Sequence, residues 1–148
     1  MNLSGLLANP DDASLYQIFG EPQMELLKTI VESNGFRLFW LDGKQVSSKA
    51  EFYNQIEKAM EFPYFGHNLD ALYDCLSDLQ DWLTGKGFVL YYTDYARFLD
   101  TDPHSFDKIL DVFLDAIDFR RQYPLPPLYV LFQVPQGKLF SLKVLELG

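Results

Sequence analysis

Three short, nearly uninterrupted apolar runs, Phe36–Leu41, Phe88–Tyr92 and Leu128–Val134, alternate with stretches in which apolar residues recur every three or four positions. The first pattern marks strands buried on both faces, and the second marks amphipathic helices. Phe36–Leu41 ends at Asp42-Gly43, a turn signal. Ser48 followed by Glu51 forms a capping box, and Phe52, Ile56 and Met60 then share a helical face until Phe62-Pro63 stops it. Leu69, Leu72, Leu76, Leu79 and Leu83 make one stripe that predicts a helix from Leu69 to Leu83, closed by Gly85 and Gly87. Pro103 and Ser105 open a further helix with the stripe Phe106, Ile109, Leu110, Phe113 and Ile117, broken between Tyr123 and Pro127.

The two ends of the chain are less regular. A polar turn at Asn9–Asp12 precedes segments at Leu15–Phe19 and Pro22–Glu32 that read as helical, the second with Met24, Leu27, Ile30 and Val31 on one face. Pro135-Gln136-Gly137 turns into Lys138–Leu147, read as an edge strand that adds antiparallel because the turn is tight. Lys138 and Lys143 suit such an edge, where they guard against aggregation. The expected class is therefore α/β: a small three-stranded parallel sheet covered by helices, with right-handed crossovers. Residues 1–35 form an N-terminal helical extension packed on the domain, and 36–148 form the domain itself, including an extra C-terminal antiparallel edge strand.

At 148 residues, 48% hydrophobic and 16% aromatic, the chain can bury a full core as one domain. Cys75 is the single cysteine, which excludes an internal disulfide and fits a reducing, cytoplasmic setting. Leu3–Ala8 lacks the basic flank of a secretory signal, and no apolar stretch reaches the ~18 residues of a membrane span. The net charge of −9 disfavours nucleic acid and anionic membranes and favours a basic protein partner. That charge is concentrated: residues 70–118 hold eleven acids against three bases.

At about 100° per residue, Asp70, Asp74, Asp78 and Asp81 fall opposite the leucine stripe. Asp107, Asp111, Asp115 and Asp118 repeat the spacing on the later helix. Aspartate is a poorer helix former than glutamate, and like charges four apart cost ~0.2–0.5 kcal/mol per pair. A solvated face would be built more cheaply, so the two ridges suggest a field that attracts a cationic partner. Before the first ridge, Pro63-Tyr64-Phe65-Gly66-His67-Asn68 joins two aromatics to a glycine that permits an unusual backbone angle and to an asparagine suited to N-capping. Packing of Tyr64 or Phe65 on the core is the competing interpretation of that loop.

The segment Tyr64-Phe65-Gly66-His67-Asn68-Leu69-Asp70-Ala71-Leu72-Tyr73-Asp74-Cys75-Leu76 resembles the signature loop and helix of the barstar family, intracellular inhibitors of barnase-type ribonucleases. The similarity extends more weakly from Phe36 to Gln133, leaving residues 1–35 and the tail beyond Val134 outside it. The resemblance implies an inhibitor whose carboxylates occupy the phosphate positions of a basic ribonuclease active site. It implies that Asp74 is the central inhibitory aspartate and Asp70 a second acidic contact. Tyr64, Gly66 and Asn68 become loop contacts and Asp115 a peripheral ion-pairing acid. Phe65, His67 and Tyr73 complete the expected partner-binding set. Three positions depart from the family's founding member: His67 stands in place of an acid, Tyr73 in place of a tryptophan, and Leu114 in place of a basic residue. The alternative partner is a different basic protein, which would make the chain a binding or immunity protein of the same fold in a toxin-antitoxin setting.

Catalysis is not expected. Asp74 and Cys75 diverge by about 100° on a helix, and Cys75 borders the apolar side, which suits packing better than a nucleophile. Magnesium chemistry on the aspartates would want a Gly-rich phosphate loop or catalytic lysine that the sequence does not offer. No metal or cofactor is expected. His104 reads as a solvent-facing loop residue, and Trp40 and Trp82 as core or core-rim residues.

Overall fold

A computed structural model of the chain describes residues 1–135 and 141–147. The strands are β1 (Leu15–Phe19), β2 (Arg37–Asp42), β3 (Phe88–Thr93), β4 (Leu128–Val134) and β5 (Lys143–Val144). The helices are α1 (Leu3–Leu7), α2 (Met24–Ser33), α3 (Lys49–Ala59), α4 (Leu69–Ser77), α5 (Ala96–Thr101) and α6 (Pro103–Gln122). The strands form one sheet in the order β2-β3-β4-β1-β5, and every pairing is parallel.

This corrects the expected three-stranded sheet with an antiparallel edge in two places. Leu15–Phe19 is a strand inside the sheet, in register with Val130–Val134, so residues 1–35 supply a core element as well as helices. Leu15, Tyr16, Gln17 and Ile18 are all buried, as a strand covered on both faces demands and an amphipathic helix does not. The polar Gln17 obscures that signal in the sequence; buried, its side chain donates to the Leu142 carbonyl.

The tail is the second correction. β5 runs parallel to β1, with Tyr16 opposite Lys143 and Gln17 opposite Val144. A hairpin from Pro135 would need a free edge on β4, and both edges of β4 are already paired, to β3 and β1. β5 therefore pairs on the side of β1 away from β4. Residues 136–140, including Lys138, lie outside the described residues.

β3 and β4 are buried along their whole length. β2 is an outer strand, and Trp40 on it is 51% exposed, its indole N–H donating to Thr93 Oγ1 at 2.9 Å. After β2 the chain must pass close to the end of β3: a Cβ on Gly43 would lie 2.2 Å from the Thr93 carbonyl oxygen. α1 buries Leu3, Leu6 and Leu7, and its Leu6 carbonyl accepts from the Tyr129 hydroxyl at 3.0 Å, tying the N-terminus to β4. On the other flank α4 packs against α6, which sets the two acidic helices side by side.

Candidate functional site

The signature loop is braced from α3. Glu61, with φ of 58°, is the left-handed residue of a Schellman ending in which the Phe62 amide donates to the Glu57 carbonyl at 3.1 Å. The chain then reverses across an aromatic cluster: the Phe65 ring stands edge-on to Tyr53 at 5.4 Å and to Phe62 at 5.3 Å. Phe65 is thus half-buried against the core, whereas Tyr64 beside it is 84% exposed. The unusual backbone angle falls on His67, with φ of 53°, and not on Gly66. A left-handed histidine is held there by its own contacts. Its Nε2 lies 3.0 Å from Glu57 Oε1, and its ring is 4.9 Å from that of Phe65. Gly66 instead sits close to Ala71, 3.4 Å from a would-be Cβ.

Asn68 caps α4 as its residue type predicts, with Oδ1 accepting from the Ala71 amide at 2.8 Å. The helix then ends six residues earlier than its leucine stripe suggests. In a longer helix the Leu76 and Ser77 carbonyls would accept from the amides of Gln80 and Asp81. Here they accept from Arg120 Nη1, at 3.3 and 2.9 Å, and the Asp81 amide donates to Asp78 in a 3-10 turn over Leu79–Asp81. Arg120 is fully buried; it also donates to the Gln80 side chain and, from Nε, to the Pro126 carbonyl at 2.8 Å, and its guanidinium lies over the Phe88 ring at 5.3 Å. Burial brings its pKa down to about 10, which leaves it charged at neutral pH. Position 120 continues the apolar stripe of α6 three residues after Ile117, a cue in the sequence that this arginine points inward.

Asp74 stands between two grooves. One, of about 360 Å³, runs between α4 and α6 and is lined by Leu69, Asp70, Tyr73, Asp74, Val112 and Asp115. Tyr73 forms part of its wall and is edge-on to Phe119 at 6.2 Å. The other, of about 440 Å³, lies between the loop and the end of α4, with Tyr64, Phe65, Asp74, Asp78, Asp81 and Trp82 among its lining residues and Gly66 at its rim. Among the predicted residues, Asp70, Tyr73, Asp74 and Asp115 therefore meet in the first groove, and Tyr64, Phe65, Gly66 and Asp74 in the second. His67 and Asn68 line neither, and their polar groups are engaged within the chain. Asp107 and Asp111 lie along α6 away from both, and Asp118 pairs with Arg121 at 2.6 Å.

Burial and the charges of Asp81 and Asp74 push the Asp78 carboxyl above its ordinary pKa, with Arg120 opposing. The Cys75 thiol is likewise pushed up, first by burial and then by Asp74, Asp78 and Glu57, and it donates to the Tyr64 carbonyl at 3.6 Å. It is a packed thiol and stays protonated at neutral pH. Among the described residues, no group of His, Cys, Asp and Glu is arranged to hold a metal ion, and no helix is long and apolar enough to cross a membrane.

The sequence from residue 36 to 132 matches the family described as Barstar (barnase inhibitor), a span that takes in α3, α4, α6, the whole signature loop and both acidic grooves. The chain belongs to the barstar family. Its fold is also similar to that of larger solved structures. A chain in the structure of Drosophila ORC bound to DNA superposes with a TM-score of 0.62 at 13% identity, covering 96% of this chain and 40% of that one. The Aeropyrum pernix ORC2 protein, in ADPNP–ADP complexes, superposes with a TM-score of 0.60 at 11% identity, covering 89% of this chain and 38% of that one. The likeness is one of fold, and this chain spans about two-fifths of either.

Proposed function

We propose that the protein is a cytoplasmic inhibitor of a small basic ribonuclease of barnase type, binding it through the face formed by the Tyr64 loop, α4 and the adjoining flank of α6. The observation that carries this reading is the position of Asp74, exposed between two carboxylate-lined grooves in a member of an inhibitor family. A ribonuclease holds arginine, lysine and histidine where phosphates bind, and a carboxylate fixed on a capped helix takes charge-assisted hydrogen bonds from those groups. Asp70 and Asp115 extend the same field on one side, and Tyr64 offers an exposed aromatic anchor on the other. The aspartates thus act as phosphate mimics and not as catalysts, and the protonated Cys75 supports a binding role over thiol chemistry.

His67 favours a second reading of the partner. The contact loop presents a histidine tied to Glu57, where the founding member has an acid, and specificity is a difference among affinities. A basic toxin that is not a ribonuclease would fit the same carboxylates and would make this an immunity protein.

RNA cleavage by a barnase-type ribonuclease, titrated with the protein and with Asp74→Ala, tests the proposal. Stoichiometric inhibition is expected, with the variant weaker by more than ~30-fold, the roughly 2 kcal/mol that marks an interface hot spot. Undiminished cleavage at excess protein overturns the ribonuclease reading, and undiminished inhibition by the variant removes Asp74 from its centre.

A further inference from the structure

We propose that the groove between the Tyr64 loop and the end of α4 is a receptor for an arginine side chain of the partner, with Trp82 and Phe65 as its floor and Asp78 and Asp81 as its rim. The inference rests on the reading that this face meets a basic protein, and it adds a second contact beside Asp74 with a defined chemistry.

The groove combines two features that a solvated acidic patch lacks. Its floor is apolar and preorganised: Trp82 donates from its indole nitrogen to the Met60 carbonyl at 3.2 Å and is edge-on to Phe62 at 6.0 Å. Its charge is of one sign, because the ionised side chains that line it are Asp74, Asp78 and Asp81, with no lysine or arginine among them. An occupant must therefore carry positive charge and cover aromatic surface together. At about 440 Å³ the groove is large enough for one long side chain and its flanking backbone.

The arrangement of the carboxylates narrows the choice. They do not converge as a metal site would, since no such cluster is present among the described residues. Dispersed acceptors suit a planar cation that presents several donors in fixed directions and stacks on aromatic rings, which describes guanidinium better than ammonium. The groove also adjoins the C-terminal end of α4, where the helix dipole favours a cation. Arg120 answers that need only from the buried side, and the Asp78 carboxyl remains pushed up by burial and by its acidic neighbours. Tyr64, 84% exposed and among the residues that line the groove, offers a further ring to the same guanidinium.

An NMR titration of the full chain with N-acetyl-arginine amide tests the proposal without any assumption about the ribonuclease. N-acetyl-lysine amide and N-acetyl-citrulline amide serve as controls of equal length and of equal shape. Saturable shifts of the Trp82 indole N–H and of the Asp78 and Asp81 amides are expected with arginine. They should weaken at least tenfold in Asp78→Asn/Asp81→Asn, whose dispersed spectrum would show that it folds. No shift, shifts elsewhere, or equal shifts with lysine or citrulline overturn the proposal. Inhibition that depends on Asp74 while this groove ignores arginine would leave the inhibitor reading standing and remove the receptor. Arginine binding without ribonuclease inhibition would do the reverse.

Discussion

The two acidic helices carry their aspartates at the same spacing, yet only α6 keeps them on one continuous helix. α6 runs twenty residues from Pro103 to Gln122, whereas α4 stops at Ser77 and hands Asp78 to a cap and Asp81 to a 3-10 turn. Both have an apolar stripe and an N-cap, so the local pattern does not separate them. What separates them is Arg120, which rises from α6 and takes the carbonyls that a longer α4 would use for its next turn. A straight helix presents its charges as a line along a surface. A helix broken there turns part of that line aside, and Asp78, Asp81 and Trp82 line the groove beside the broken end.

The largest effect on this contrast is expected from Arg120→Met. It strands the Leu76, Ser77 and Pro126 carbonyls, and a buried group left without its donor costs about 1–3 kcal/mol. A total loss of about 3 kcal/mol or more should appear in chemical denaturation, with amide exchange quickening at the end of α4 before the start of α6. A loss under about 1 kcal/mol would mean that Arg120 does not hold the break.

A smaller effect separates the ridges by function. Asp70→Asn, in the groove shared with Asp74 and Asp115, should weaken binding to the proposed ribonuclease partner by about tenfold, or 1.4 kcal/mol. Asp107→Asn with Asp111→Asn should leave affinity nearly unchanged and slow association slightly, because those carboxylates act only through the long-range field. The same pair should raise stability by about 0.2–0.5 kcal/mol as a like-charge repulsion is relieved. Equal losses of affinity from both ridges would show that net charge, and not position, governs binding.

The smallest effect lies at the two N-caps. α4 is capped by the neutral Asn68 and α6 by Asp102, whose carboxyl is held below its ordinary pKa of 3.8 by hydrogen bonds from the Ser105 side chain and amide. A pKa lowered in the folded state means that the stabilisation is complete above the unfolded value and fades as pH falls through the lower folded one. Acidification below 3.8 should therefore loosen the first turn of α6, read at the Ser105 amide, before the Ala71 amide at the head of α4 responds. Simultaneous loosening would show that the Asp102 cap contributes nothing of its own.

The site is legible in the sequence where local rules govern it. Asn68 as a cap, the outward aspartates and the signature that marks the family are all read from the sequence alone, whereas only the fold decides that Tyr64 is exposed and Phe65 packed. Gly66 misleads because a glycine in a loop suggests left-handed backbone, and here that backbone falls on His67, held by Glu57 and Phe65. Trp82 and Asp81 look like a core-rim aromatic and a fourth ridge acid. They become neighbours of Tyr64 only when α4 ends early.

The alternation of apolar runs and amphipathic stripes settled that the protein is α/β, that β2, β3 and β4 are strands, and which faces of α3, α4 and α6 turn inward. These are consequences of burial, and burial is written residue by residue as hydrophobic pattern. The parallel entry of Leu15–Phe19 into the sheet, the pairing of Lys143–Val144 at its far edge, and the stop at Ser77 depend on partners distant in the chain. β1 needs a free edge of β4, β5 needs one of β1, and the end of α4 needs a guanidinium from α6. No local pattern carries such pairings, because an unpaired edge or an open carbonyl has no residue type of its own.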